Sequence, residues 1–157
     1  VTAVLAARVA LRRTVDADRD FLRELFLDAR PDLRLLPDDL RAGLVDLQVR
    51  AQVRQYSTDH PGAVDHVVET STPSGVEPVG RCWIDVSVSS THLLDLAVHS
   101  TARRQGVARA ALSLLTDRPV TLNVWSGNQA ALALYASCGF EVSGTSGDHL
   151  TMRRDAR

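Results

Sequence analysis

The spacing of apolar and polar positions changes several times along the chain, and each change marks an element. Val9 to Arg13 alternates loosely, as a short strand does. Asp16 and Asp18 stand where caps begin a helix from about Arg19 to Ala29, with Phe21, Leu22, Leu25 and Phe26 on one face. Pro31 stops or bends it. A second helical run opens at Pro37 and Asp38 and ends between Tyr56 and Pro61. Leu40, Leu44, Leu47 and Ala51 recur in it at helical spacing and predict its buried stripe. Val64, His66 and Val68 then alternate as in a half-exposed strand. Ser71 to Pro78 reads as a hairpin turn, Val79 to Val88 as the returning strand, and Ser89-Ser90 as another tight turn.

His92 to His99 is mostly apolar and predicts a central strand. A helix from about Gly106 to Thr116 follows, broken by Pro119, then a strand over Val120 to Val124. Asn128 to Cys138 is a strong helix closed by Gly139. Phe140 to Val142 and His149 to Arg153 predict a last pair of strands. This order gives a mixed α/β class in one domain over residues 1–157.

Composition narrows the chemistry. The 157 residues carry 18 basic and 19 acidic side chains, a formal net charge of -1. There is no basic stripe with stacking aromatics, so nucleic acid is not an expected partner. Every basic residue is Arg, which excludes a Schiff base, a Lys general base and a Walker-type loop. Cys82 and Cys138 are too few for a four-thiolate metal site, so no metal is expected, and they suggest no disulfide framework. The apolar run from Val1 to Ala10 is too short to span a bilayer and has no basic leader before it. The expectation is a cytoplasmic protein with no membrane partner.

Two segments carry candidate chemistry. After the strand ending Val98-His99 comes Ser100-Thr101-Ala102-Arg103-Arg104-Gln105-Gly106-Val107-Ala108-Arg109. Gly106 and Ala108 let a ligand approach the backbone as the chain enters a helix. Free N–H groups at that helix start, beside Arg103 and Arg104, suit a pyrophosphate. The second segment runs from Asn128 to Phe140. Asn128 is a good N-cap there, and Ala131 and Tyr135, four apart, share a face.

Together these segments resemble the Gcn5-related N-acetyltransferase (GNAT) superfamily. Arg103-Arg104-Gln105-Gly106-Val107-Ala108 is similar to its Arg/Gln-x-x-Gly-x-Gly/Ala coenzyme A loop. Asn128, Ala131, Leu134, Tyr135, Gly139 and Phe140 occupy every fixed position of its Asn-x-x-Ala-x-x-Leu-Tyr-x-x-x-Gly-Phe helix. The likeness covers about residues 79–154. It implies a mixed, mostly antiparallel sheet of six to seven strands, flanked by about four helices and splayed at the cofactor strand. Residues 1–62 would form the acceptor side, and 63–157 the sheet and cofactor half.

The resemblance also implies roles. The loop amides of about Gln105 to Arg109 would hold the coenzyme A pyrophosphate. Leu96, Ala97 and Val98 would pair with the pantetheine arm, and Asn128 would contact the cofactor. Tyr135 would protonate the departing thiolate. Acetyl-coenzyme A would be the donor and a small-molecule or peptide amine the acceptor, the alternatives being another acyl-coenzyme A donor or a non-catalytic module that senses coenzyme A. Ala108 replaces the commoner second Gly. Family members are often dimers, although no feature of the sequence sets an interface.

An attacking amine must be neutral, while a free alkylamine titrates near pH 10, so a base or a water chain is needed. Asp95 and His92 lie on the cofactor strand with opposite parity in a regular strand, and a bulge before Val98 would rotate either inward. His99, Asp85 and Glu69 are weaker candidates. Acceptor specificity is expected from the first two helices and the strand from Val79. Gln48, Gln52 and Tyr56 form a polar helix stripe, and Phe26, Arg30 and Trp83 stand to complete a pocket. Asp28, Asp32, Asp38, Asp39 and Asp46 make this half acidic, a feature that favours a cationic amine.

Overall fold

The computed structural model describes residues 8–157. The run from Val1 lies largely outside the described residues. Seven strands form one sheet in the order β1-β2-β3-β4-β5-β7-β6. They are β1 (Val9–Arg13), β2 (Ala63–Thr72), β3 (Gly75–Val86), β4 (Thr91–Val98), β5 (Val120–Trp125), β6 (Glu141–Ser146) and β7 (His149–Arg154). Every neighbouring pair is antiparallel except β4 and β5. The helices are α1 (Arg19–Asp28), α2 (Asp38–Asp59), α3 (Val107–Ser113) and α4 (Gln129–Ser137). No described helix is long and apolar enough to cross a membrane. Both cysteines are free and buried.

The largest core lies between the sheet and α3 and α4. Val68, Cys82, Leu93 and Leu122 from the strands meet Val107, Ala111 and Leu112 there. The short alanine side chains of α3 let the helix sit close to the sheet. Gly139, at φ +86°, ends α4 in the left-handed conformation expected of a helix-closing glycine.

Two expectations are corrected. Ser71 to Pro78 is not mostly turn: the strands run through it, and only Pro73 and Ser74 separate them. The predicted stripe of α2 holds only at Leu44, which is half-buried. Leu40 and Leu47 are each 61% exposed and Ala51 is exposed, while Val45 is buried. Gln48, Gln52 and Tyr56 are half-buried. The helix turns its polar stripe inward because the adjacent sheet face carries Asp65, Arg81 and Trp83, which take hydrogen bonds and ring contacts in place of aliphatic packing.

Candidate active site

β4 and β5 part company halfway. They pair at Thr91, His92 and Leu93 only, and beyond that β5 continues along β7 while β4 stays with β3. From Leu94 onward β4 therefore has no strand on its β5 side. At the same place Trp83 pairs with Asp95 and Ile84 with Leu93, which leaves Leu94 as a bulge residue. Asp85 and Trp83 share one face of β3, so their partners His92 and Asp95 share a face of β4. The bulge has cancelled their opposite parity. That common face looks toward α2: Tyr56 donates to the carbonyl of Leu94 at 3.3 Å and meets Trp83 edge-on at 4.7 Å.

A groove of about 720 Å³ follows the free edge of β4. Asp95, Leu96, Ala97 and Val98 form its floor, Tyr135 and Ala131 of α4 one wall, and the loop into α3 its far end. Arg103, Arg104, Gly106, Val107, Ala108 and Arg109 all line it. Gln105 does not; its side-chain amide turns back to donate to the carbonyl of Thr101. Gly106 holds φ +83° and Arg104 φ +60°, so the chain makes a tight left-handed detour before the helix. Among the described residues, none of the amides of residues 104–109 makes a hydrogen bond of ordinary geometry to an acceptor. Unpaired amides beside an open groove suit a polyanion.

The arginines of this loop divide. Arg103 donates to the carbonyl of Val98 and to Asp28. Arg109 donates to Ser137 and ties α3 to the end of α4. Asp28 also accepts from the amide and hydroxyl of Ser100, so the end of α1 anchors the whole loop. Burial would raise the Asp28 carboxyl, but the Ser100 bonds and the charges of His99 and Arg103 outweigh it and hold the group below its usual range. Sequence reasoning missed this anchor. An Asp near a helix end has no local signal for a loop 72 residues away.

Asn128 accepts from the amide of Ala131, as an N-cap should, and lines a 230 Å³ cavity between the splayed strands. Tyr135 and Asp95 line the same cavity. On the other side of β4 a pocket of about 170 Å³ is walled by Leu22, Leu25 and Phe26 of α1 and by Arg30, Gln52 and Arg81. Asp95 lines all three spaces. Gln48 and Tyr56 support this pocket without lining it, Gln48 by accepting from Arg30 and Tyr56 by packing on Trp83.

Arg81 and Asp65 were not foreseen. Arg81 is 6% exposed, makes two bonds to Asp65 at 2.8 and 2.7 Å, stacks over Trp83 and reaches toward Gln52. Asp95 stands beside this pair. Burial raises its carboxyl above the ordinary value; Arg81 and the Leu96 amide pull it down, Asp65 pushes it up, and the net displacement is upward. Tyr135 is pushed up to about 12, by burial first and by the charge of Asp95 second.

His92 is not brought to the groove. It bonds Thr121 at 2.8 Å and stacks on His60, which in turn bonds Asp85. Burial and the neighbouring His60 lower its pKa. His99 bonds Thr101, and Glu69 pairs with Arg12. The acidic half is also neutralised more than its composition suggests. Asp28 pairs with Arg103, Asp32 with Arg30, Asp38 with Arg41 and Asp46 with Arg23, while Asp39 has no ion pair among the described residues.

Residues 21–140 match the model of the acetyltransferase (GNAT) family. The chain belongs to that family. The sheet, splayed at β4 and covered by four helices, is the GNAT fold, and acyl transfer is the activity that goes with membership. No curated protein matches the sequence. Solved structures give the same fold at low identity. An acetyltransferase from Thermus thermophilus superposes with a TM-score of 0.67 at 19% identity, over 96% of this chain and 99% of that one. The PaiA N-acetyltransferase of Thermoplasma acidophilum, solved with coenzyme A, gives 0.64 at 12%, over 94% and 98%. The ribosomal-protein-S18-alanine N-acetyltransferase of Escherichia coli gives 0.61 at 16%, over 94% and 93%.

Proposed function

We propose that the protein is an acetyl-coenzyme A-dependent N-acetyltransferase that moves its acetyl group to a primary amine of a small molecule or peptide. One observation carries the reading: a groove that begins at unpaired loop amides meets a second pocket at a single carboxylate, Asp95. A two-substrate reaction needs such a junction, since holding both reactants in one geometry supplies much of the rate.

The residues fit a coenzyme A donor. The loop amides and Arg104 suit its diphosphate, and the unpaired edge of β4 offers main-chain donors and acceptors to an extended arm. Such a donor supplies a thioester carbonyl and a sulfur leaving group. Asp95 takes the proton from the incoming ammonium. Its raised pKa makes it a better base than an exposed carboxylate, and the charge of Arg81 beside it favours the ionised form.

Tyr135 remains protonated at neutral pH and points to hydrogen bonding at the sulfur. Complete proton transfer from a group near 12 to a thiolate of ordinary pKa near 8.5 is uphill by roughly a few thousandfold, so the bond itself is its main contribution. Two ionisable groups at the junction support an enzyme over a module that merely senses coenzyme A.

The test is a thiol-release assay with acetyl-coenzyme A against a panel of amines, run beside calorimetry for coenzyme A alone. Amine-dependent thiol release is expected. Tight coenzyme A binding with no release on any amine would leave a sensor in its place, and no binding at all would remove both.

A further inference from the structure

The pocket on the α1 and α2 side of β4 has two unlike walls. Leu22, Leu25 and Phe26 form an apolar one, while Asp95, Arg81 and Gln52 stand together on the other. Its volume of about 170 Å³ is close to the ~150 Å³ of a cavity that holds one benzene. A compact apolar side chain fills it; a long or branched polar chain does not.

The polar wall carries two recognition elements side by side. Asp95 is the acid of the pocket without a salt bridge among the described residues, and it suits an amine. Arg81 pairs with Ala97, two residues along the same face of β4, so its guanidinium and Asp95 are diagonal neighbours. Asp65 occupies the Nε and Nη2 edge of Arg81, and Nη1 turns to Gln52. The N–H groups of Arg81 that Asp65 and Gln52 leave over are donors on this wall, and the Gln52 side chain, which also bonds Tyr56, is a further polar group beside them. An amine and a carbonyl oxygen separated by one carbon can bridge an acid and a donor that are diagonal neighbours on a sheet face.

Resting on the acyl-transfer reading, we propose that the acceptor is an α-amino group next to a carbonyl or carboxylate, on a residue with a compact apolar side chain of leucine to phenylalanine size. The amine sits at Asp95, the oxygen at Arg81 and Gln52, and the side chain among Leu22, Leu25 and Phe26. Polycationic amines are rejected. They need a row of free acids, and among the described residues Asp95 is the one carboxylate that lines the pocket.

The experiment compares kcat/KM under saturating acetyl-coenzyme A for leucine, phenylalanine, leucyl-glycine, 3-methylbutylamine, 2-phenylethylamine and spermidine. The first three are expected to exceed the three carboxyl-free amines by about a hundredfold, because those leave buried donors unpaired. The free amino acids and leucyl-glycine separate the two sources of the same chemistry, a metabolite or a peptide start. Activity on 3-methylbutylamine or spermidine equal to that on leucine would overturn the proposal while leaving acyl transfer intact. Release on no amine would overturn it too, and coenzyme A calorimetry would then show whether donor binding failed with it.

Leu22→Ala gives the second arm. Leu22 is half-buried, so the variant is expected to fold, and it should shift preference from leucine toward tryptophan by about tenfold. An unchanged ratio in a folded variant would remove the side-chain pocket from the proposal.

Discussion

β4 separates two sites built by different means. The groove on its free edge is made of main chain: loop amides, a strand edge, and small residues such as Gly106 and Ala108 that keep side chains out of the way. The pocket on its other side is made of side chains held by ion pairs, with Arg81 on Asp65 and Arg30 on Asp32. A main-chain site tolerates almost any side chain that stays out of it and fails when one is put in. A side-chain site fails by degrees as partners are lost. The variants that test this difference run from the groove to its supports.

The largest effect should come from Gly106→Glu. Gly106 lines the groove at a φ that costs other residues about 1–2 kcal/mol. The new side chain adds bulk and negative charge where a diphosphate is expected. Coenzyme A affinity by calorimetry should fall by at least about a hundredfold, with the secondary structure unchanged by circular dichroism. Retained affinity would mean the donor lies elsewhere.

Asp95→Asn comes next and breaks the junction between the sites. Loss of the proposed base should lower kcat/KM by about 10²–10⁴. Stability should move the other way. The folded pKa of Asp95 lies above its unfolded value, so the folded state binds more protons in that interval and loses stability as pH rises through it. Removing the charge should therefore raise stability at neutral pH by about 0.5–2 kcal/mol, read as a higher urea midpoint. A lower midpoint at neutral pH, or full activity, would refute the assignment.

The same contrast explains how much could be read beforehand. The groove was legible because Gly106, Ala108, Asn128 and Gly139 are required locally, by a turn, a cap or a close approach, and because with Leu134 and Tyr135 they resemble the two GNAT motifs. The succession of strands and helices along the chain followed from hydrophobic spacing, and the sheet they form from the resemblance. The acceptor side was legible only in part. Gln48, Gln52 and Tyr56 stood out as a polar stripe, but their spacing could not show that they face inward, because that depends on Arg81 and Asp65 arriving on strands far along the chain. The α2 stripe of Leu40, Leu47 and Ala51 misled for the same reason. His92 and Asp95 were inseparable without the register of β3, which places one beside His60 and the other at the junction.

Tyr135→Phe should have a smaller effect. On the proposed reading the phenol contributes a hydrogen bond to the sulfur, and the thiol of coenzyme A leaves readily near neutral pH on its own. A fall in kcat of about tenfold is expected, with coenzyme A affinity within about twofold of the parent. The deficit should not vanish below about pH 10, since a hydroxyl held near 12 does not titrate there. Equal kcat at every pH would remove Tyr135 from the reaction.

The smallest effect belongs to the support that joins the two sites. Asp28, at the end of α1, receives Ser100 and Arg103 and so fixes the loop whose amides face the groove. Asp28→Asn keeps the shape and weakens these bonds. Coenzyme A affinity should fall only about two- to fivefold, because the amides remain and merely lose their rigid mounting. The folded pKa of Asp28 is depressed, so its contribution to stability is present above the unfolded carboxyl value and is lost as pH falls through the folded one. The variant should thus be less stable at neutral pH by about 1–2 kcal/mol and nearly equal to the parent in strong acid. Urea midpoints under both conditions measure this. Equal midpoints at neutral pH would show that the loop is mounted by something other than α1, and the groove would then be independent of the acceptor side.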